Sequence, residues 1–156
     1  MRAEALHSRS LAHINLGAIE SAISDLTNAI QIDPNMTIAY GDRAAAYMRK
    51  KDYEKAVSDS SMAIGLDENY TSAYLNRGIS LFHLSEYSGA IEDYDQVLLL
   101  ESDRVDVYAH LARAYTMLGI EVKVQENLQQ LTDRDVDITE LSNAVSYTHL
   151  RAHETE

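Results

Sequence analysis

The sequence predicts an all-α fold, a solenoid in which pairs of antiparallel helices stack one behind another. Three observations lead to this prediction. The phrase AYGDRA at residues 39–44 returns as AYLNRG at residues 73–78, 34 residues later. Apolar residues within each repeat follow helical spacing. The sequence also has only one proline and six glycines among 156 residues, which are few for the turns that β-hairpins need.

The 34-residue period divides most of the chain into four units, which we place at 3–36, 37–70, 71–104 and 105–138. Many positions agree between units at this one period, which is the signature of a repeat architecture. Residues 139–145 are expected to begin a capping helix or a further repeat. Matching positions of the second and third units include Tyr40 and Tyr74, Arg43 and Arg77, and Asp59 and Asp93.

Each unit is predicted to contain two helices. Tyr40, Ala44 and Tyr47 step by four and three residues, as one face of a first helix does. A short break follows, and Gly17 and Gly119 in two of these breaks suit the left-handed residue that ends a helix. The second helix then runs to an acidic turn, written IDPN, LDENY or ESDR, before the next unit begins.

The pattern Tyr-x₂-Arg-Ala/Gly, followed by Tyr-x₂-Ala and Ala-Ile, resembles the tetratricopeptide repeat over residues 3–138. The resemblance implies a right-handed superhelical solenoid whose first helices line a concave face. It also implies a scaffold for protein–protein interaction rather than an enzyme. Small residues stand where the two helices of a unit should touch, namely Ala22, Ala56 and Ala90 on second helices and Ala44, Gly78 and Ala112 on first helices.

The first three units carry an arginine at their seventh position, where this family usually packs leucine, and the fourth unit carries Leu111. An aspartate at one fixed position of the second helix is present in the same three units, and Asn127 replaces it in the fourth. Because acid and base occur together, we predict a half-buried ion pair. The alternative is a row of arginines that binds anionic ligands. The predicted pairs are Arg9–Asp25, Arg43–Asp59 and Arg77–Asp93.

The family's groove positions, carried over to this sequence, imply a candidate peptide-binding groove. Ile14, Met48 and Phe82 would form an apolar row that marks a partner site. The alternative is that some of these side chains pack between neighbouring first helices. Ser8, Asp42, Asn76 and His110 would form a polar row, and Gly41, Ala45 and Ala109 would leave room for ligand side chains. The candidate site residues are Leu11, Ile14, Asp42, Met48, Arg49, Leu75, Asn76, Ile79, Phe82, His110 and Arg113.

The expected partner is a short protein segment, amphipathic and basic at its flanks. A net charge of −12 favours basic partners and argues against nucleic acid and anionic membranes. Part of the family clamps the C-terminal carboxylate of chaperones with cationic residues. Neither possible register supplies a cationic pair, so this clamp is expected to be absent. The two registers are His7, Leu11, Asp42, Ser72 and Asn76, or Gly41, Ala45, Asn76, Asp106 and His110.

We expect no catalytic, cofactor or metal site. The sequence has no glycine-rich phosphate loop, no nucleophile elbow and no cysteine. His83 and His110 could face each other across two units, but without a carboxylate they would make a poor metal site. The absence of cysteine and of an apolar leader indicates a cytoplasmic location.

The C-terminal stretch SYTHLRAHET, residues 146–155, resembles the translation of a sequencing adapter. We therefore expect residues 146–156 to be a non-native tail on a fragment of a longer protein. His149 and His153 have the spacing of metal ligands on a helix, but the adapter explains them better. A second hypothesis for function follows, in which this is the regulatory or targeting array of a larger multidomain enzyme. A third hypothesis is self-association.

Overall fold

The computed structural model describes residues 2–143 and residue 145. Within them the chain forms helices and turns and no strand. A further helical stretch covers residues 139–143. The eight longer helices are α1 (Ala3–Asn15), α2 (Ile19–Ile32), α3 (Thr37–Arg49), α4 (Tyr53–Leu66), α5 (Thr71–His83), α6 (Tyr87–Leu100), α7 (Val105–Met117) and α8 (Glu121–Thr132).

Consecutive helices pack against one another along the whole array, both within each pair and from one pair to the next. The first helices α3 and α5 of neighbouring pairs also contact each other directly. The predicted all-α solenoid of helix pairs is confirmed. Among the described residues, no helix is long and apolar enough to cross a bilayer.

The turn inside each pair contains one residue in the left-handed conformation. Gly17 (φ 73°) and Gly119 (φ 69°) occupy it as predicted. Lys51 (φ 61°) and Ser85 (φ 66°) adopt the same conformation in the second and third pairs, although side chains disfavour it. The four turns therefore share one backbone conformation although the residue type at this position differs.

Small residues allow the two helices of each pair to approach closely. Ala22, Ala56 and Ala90 are fully buried, as are Ala44 and Ala112 on the facing helices. The predicted helix contacts are confirmed.

The third pair uses a glycine at this contact because a large ring lies opposite. A Cβ atom at Gly78 would lie 2.7 Å from Cε1 of Tyr94. Tyr94 is itself 1% exposed. At the position matching Tyr94, the second pair has Ser60, whose buried hydroxyl has no hydrogen-bond partner among the described residues. The third pair thus combines a glycine with a tyrosine at this contact, whereas the second pair has Ala44 and Ser60 at the matching positions.

The predicted arginine–aspartate pairs are all present. Each arginine donates from Nε and Nη2 to the two oxygens of its aspartate, in the two-bond geometry that suits a carboxylate. The aspartate side chains are 5–8% exposed. The Nε and Nη2 distances are 2.6 and 2.5 Å for Arg9–Asp25, 2.7 and 2.7 Å for Arg43–Asp59, and 2.9 and 2.7 Å for Arg77–Asp93.

Two of these arginines also reach back to the preceding pair of helices. Arg43 Nη1 donates to Thr27 Oγ1 at 3.1 Å, and Arg77 Nη1 donates to Ser61 Oγ at 3.2 Å. With all three nitrogens engaged, Arg43 and Arg77 have a structural role, which argues against a row of arginines for anions. In the fourth pair Leu111 is 3% exposed instead.

Residues after α8 return to cover the last pair. Ile138, Leu141 and Val145 pack with Ala112 and with neighbouring apolar residues of α8. This stretch therefore shields the apolar face that the array would otherwise expose at this end.

Candidate peptide-binding groove

All the candidate site residues lie on the first helices α1, α3, α5 and α7. Three hydrogen bonds join residues 35 positions apart and hold α1, α3 and α5 side by side. His7 Nε2 lies 2.7 Å from Asp42 Oδ2, and Asn76 Nδ2 donates to the Gly41 carbonyl oxygen at 3.3 Å. Arg49 Nη1 donates to the Ile14 carbonyl oxygen at 3.4 Å. These bonds therefore link the first helices of the first three units to one another.

The polar row is partly used by the fold itself. Asp42 and Asn76 make the bonds just described, and the Ser8 hydroxyl donates to the Glu4 carbonyl oxygen at 2.8 Å. The His110 ring stacks on Tyr94 with centroids 5.2 Å apart. Each amide or carboxylate retains further hydrogen-bonding capacity, because each side chain has two polar atoms. The row can contact a ligand only with the atoms that remain.

The apolar row is half-buried rather than fully solvent-facing. Ile14, Met48 and Phe82 all have intermediate exposure. Leu75, Ile79 and Phe82 pack against the core cluster that contains Tyr94. These three residues of α5 therefore pack against the core on one side, as the alternative hypothesis expects, and remain partly exposed on the other side. Leu11 on α1 is 41% exposed.

The expectation that Gly41 leaves room for a ligand is wrong. A Cβ atom at Gly41 would lie 2.6 Å from Cε1 of Tyr70, which follows α4. The tyrosine ring therefore occupies the space that the glycine opens. Ala45 and Ala109 remain half-buried.

A cavity of about 120 Å³ lies between α5, α6 and α7, and we call it the anchor pocket. Four candidate site residues line it, and Tyr94 and His83 complete the lining. Tyr94 was not predicted, because it belongs to a second helix and reaches this space past Gly78. The glycine at position 78, where the second and fourth units have alanine, was the sequence feature that could have indicated a large side chain opposite it. The lining residues are Ile79, Phe82, His83, Tyr94, His110 and Arg113.

The electrostatics of the anchor pocket depend on His110 and Arg113. Burial, and to a lesser degree the guanidinium of Arg113, lower the pKa of His110 below its ordinary value. Arg113 is exposed. Nearby, Asp106 accepts two hydrogen bonds from Arg104, both at 2.9 Å. No hydrogen bond or ion pair joins Arg113 to another residue within 2–143 and 145.

Arg113 also lines a second cavity of about 400 Å³, formed between α7 and residues 136–141. Ala109 contributes from the α7 side, and Ile138, Glu140 and Leu141 contribute from the other side. Arg113 thus lies on the wall that the two cavities share.

His83 and His110 line the same pocket, as the sequence suggested. The His83 ring also stacks on Tyr53 at 4.4 Å. In the part of the chain that the structure describes, no three or more histidine, cysteine, aspartate or glutamate side chains are grouped to hold a metal ion. His149, His153 and the rest of the 146–156 tail lie outside the described residues.

The helix pairs and their 34-residue period define a helical-repeat protein of the kind that serves as a scaffold for other proteins. The sequence model of the family described as "Tetratricopeptide repeat" matches residues 3–36, the same residues as the first predicted unit. Together with the similarity to solved structures given next, this shows that the chain belongs to the tetratricopeptide repeat family.

The first tetratricopeptide domain of Spaghetti (RPAP3), solved with the HSP90 peptide SRMEEVD, is 30% identical to the chain. The match covers 76% of this chain and 94% of that one, with a TM-score of 0.75. The second such domain of human RPAP3, solved with the HSP70 peptide SGPTIEEVD, is 30% identical over 72% and 93% of the two chains, with a TM-score of 0.70.

MamA shares the fold, with a TM-score of 0.82 and 20% identity over 85% of this chain and 78% of MamA. No curated protein matches the chain.

Proposed function

We propose that residues 3–138 form a non-catalytic scaffold of four units that holds a short segment of a partner protein in the groove. The anchor pocket carries this proposal, because four candidate site residues converge there and two of them, Ile79 and Phe82, are apolar. A few apolar anchors in such pockets supply most of the binding energy of a peptide. The peptide-bound RPAP3 domains, which resemble this chain, support the same conclusion.

The partner segment is not a chaperone tail of the kind that those RPAP3 domains hold. The positions that would clamp its terminal carboxylate carry His7, Asp42 and Asn76 here, with no lysine or arginine among them. The Asp42 carboxylate is held by His7 at 2.7 Å and would repel an acidic terminus. The peptide SRMEEVD is therefore expected not to bind. Its saturable binding in the groove would contradict this part of the proposal.

The partner segment is amphipathic, with basic residues at its flanks. The chain carries a net charge of −12. The groove positions of the four first helices carry three acids and two bases, so most of the excess acids lie on second helices and turns. These charged residues are Glu4, Asp42, Asp106, Arg49 and Arg113. Long-range attraction to a basic segment increases the association rate, and salt screens it. We also propose a cytoplasmic location, since the sequence contains no cysteine.

The test begins with peptides selected from a random library on the immobilised chain, whose affinities are then measured by fluorescence anisotropy. We expect Phe82→Ala to weaken binding by roughly 1–3 kcal/mol, as loss of a central anchor does. Asn76→Ala should cost less, because Asn76 already bonds to the Gly41 carbonyl. Added salt should slow association without abolishing binding.

A matched pair of double variants locates the site. Met48→Ala with Phe82→Ala removes two groove residues. Met62→Ala with Leu99→Ala removes two exposed apolar residues of second helices, which are 49% and 76% exposed. The groove variant should lose binding and the control should retain it. Binding that survives the groove variant would refute the proposed function.

A further inference from the structure

The anchor pocket has an apolar interior and one cationic residue at its edge. Ile79 and Phe82 supply aliphatic and aromatic walls, and the stacked rings of Tyr94 and His110 supply the remainder. Arg113 is the one lining residue that is always protonated. Any charge selectivity of this pocket therefore depends on Arg113.

Arg113 differs from the three arginines at the seventh positions of the first helices. Arg9, Arg43 and Arg77 each donate two hydrogen bonds to a buried aspartate. Arg113 has no such partner among residues 2–143 and 145, and the adjacent Asp106 is occupied by Arg104. Asp137 and Glu140 line the second cavity with Arg113, but neither forms a hydrogen bond or ion pair with it among the described residues. The Arg113 guanidinium can therefore still pair with a carboxylate of a ligand.

We propose that the anchor pocket binds an aliphatic side chain of the partner segment and that Arg113 pairs with an acidic residue directly beside it. This inference rests on the proposed function and specifies the partner at one site. An apolar cavity of about 150 Å³ accepts a benzene molecule. A cavity of 120 Å³ is therefore suited to a leucine-sized side chain.

The two electrostatic requirements act over different distances. The excess negative charge of the protein attracts basic flanks over roughly one Debye length, about 8–10 Å in physiological salt. The Arg113 guanidinium selects a carboxylate only at hydrogen-bond distance. The partner segment that we propose therefore has basic residues at both flanks and, between them, one aliphatic residue next to one acidic residue.

The test uses three fluorescent peptides that share lysine-containing flanks and differ at the centre, which is Leu-Glu, Leu-Gln or Ala-Glu. Affinities are measured by anisotropy on the full chain and on two charge-matched variants, Arg113→Gln and Arg2→Gln. Arg2 is the control because it is an exposed arginine that precedes α1 and lies outside the groove. Far-UV circular dichroism verifies that both variants fold.

The chain should bind the Leu-Glu peptide roughly two- to fivefold more tightly than the Leu-Gln peptide, as expected for a partly exposed ion pair. The Ala-Glu peptide should bind more weakly than Leu-Glu. The preference for glutamate should vanish in Arg113→Gln and persist in Arg2→Gln. Equal affinity for Leu-Glu and Leu-Gln, equal loss in both variants, or no binding of any peptide would overturn the inference.

Failure of this inference is distinguishable from failure of the proposed function. A peptide that loses affinity with Met48→Ala and Phe82→Ala, yet shows no glutamate preference, overturns the inference about Arg113 alone. A peptide that is insensitive to that double variant overturns the groove itself and the inference with it.

Discussion

Removal of a single aspartate from a recurring ion pair should destabilise the array by an amount that depends on how deeply its arginine is buried. In Asp59→Ala, Arg43 loses two hydrogen bonds of 2.7 Å and keeps one to Thr27. A hydrogen bond to a charged group contributes roughly 1.5–3 kcal/mol. Breaking a fully buried pair costs about 3–5 kcal/mol. Because the Arg43 side chain keeps 15% exposure, we expect a loss of about 2–3 kcal/mol.

The same substitution at the other two pairs provides a graded comparison. The Arg77 side chain is 26% exposed and the Arg9 side chain is 50% exposed. Water can compensate an exposed guanidinium, so Asp25→Ala should cost the least of the three substitutions. Asp93→Ala should fall between the two. The predicted order of destabilisation is Asp59, then Asp93, then Asp25.

Urea unfolding followed by far-UV circular dichroism measures these losses as shifts of the midpoint at constant slope. Glu54→Ala is the control, because Glu54 is exposed on the same helix as Asp59 and its loss should be near neutral. The double variant Arg43→Leu with Asp59→Asn, which copies the fourth pair, should recover part of the loss. Equal effects at Asp59, Asp25 and Glu54 would refute the ion-pair reasoning.

Three further predictions concern single positions. Ser60→Ala should raise the free energy of unfolding by about 1 kcal/mol, since it removes a buried hydroxyl without a described partner; a decrease in urea unfolding would contradict this. Gly78→Ala should cost roughly 1–3 kcal/mol, because the new Cβ atom would lie 2.7 Å from the Tyr94 ring. Adding Tyr94→Leu should restore part of that loss, and the same cost in both backgrounds would show that the ring is not the cause. His110 should titrate below its ordinary pKa of 6.5 in an NMR experiment, so the unfolded state binds more protons and stability falls as the pH drops through about 6.5. Arg113→Gln should move the pKa of His110 upward, whereas a wild-type value at or above 6.5 would contradict the argument.

Features that repeat along the chain could be predicted from the sequence. Helix pairs follow from apolar spacing combined with one period, and the ion pairs follow from the joint loss of arginine and aspartate in the fourth unit. Asp25 and Asp59 could be matched to Arg9 and Arg43 because the same offset recurs. Repetition supplied, within one chain, information that a single unit does not contain.

Features that depend on one particular neighbour could not be predicted. Gly41 indicated open space, but nothing local showed that Tyr70 would fill it. Lys51 and Ser85 adopt positive φ because the turn geometry of the array overrides their own preference. Tyr94 enters the anchor pocket from a second helix, so an analysis limited to first helices could not include it.

The arginine bridges to preceding helices are unevenly distributed along the solenoid. The hydrogen bond from Arg43 to Thr27 links the second unit to the first, and the one from Arg77 to Ser61 links the third unit to the second. At the joint between the third and fourth units, Leu111 stands in their place. In a linear array the stability of each joint depends on its nearest neighbours. The anchor pocket lies between the third and fourth units, where this arginine bridge is absent. A segment bound there would contact both units, so partner occupancy would be coupled to the rigidity of that end of the molecule.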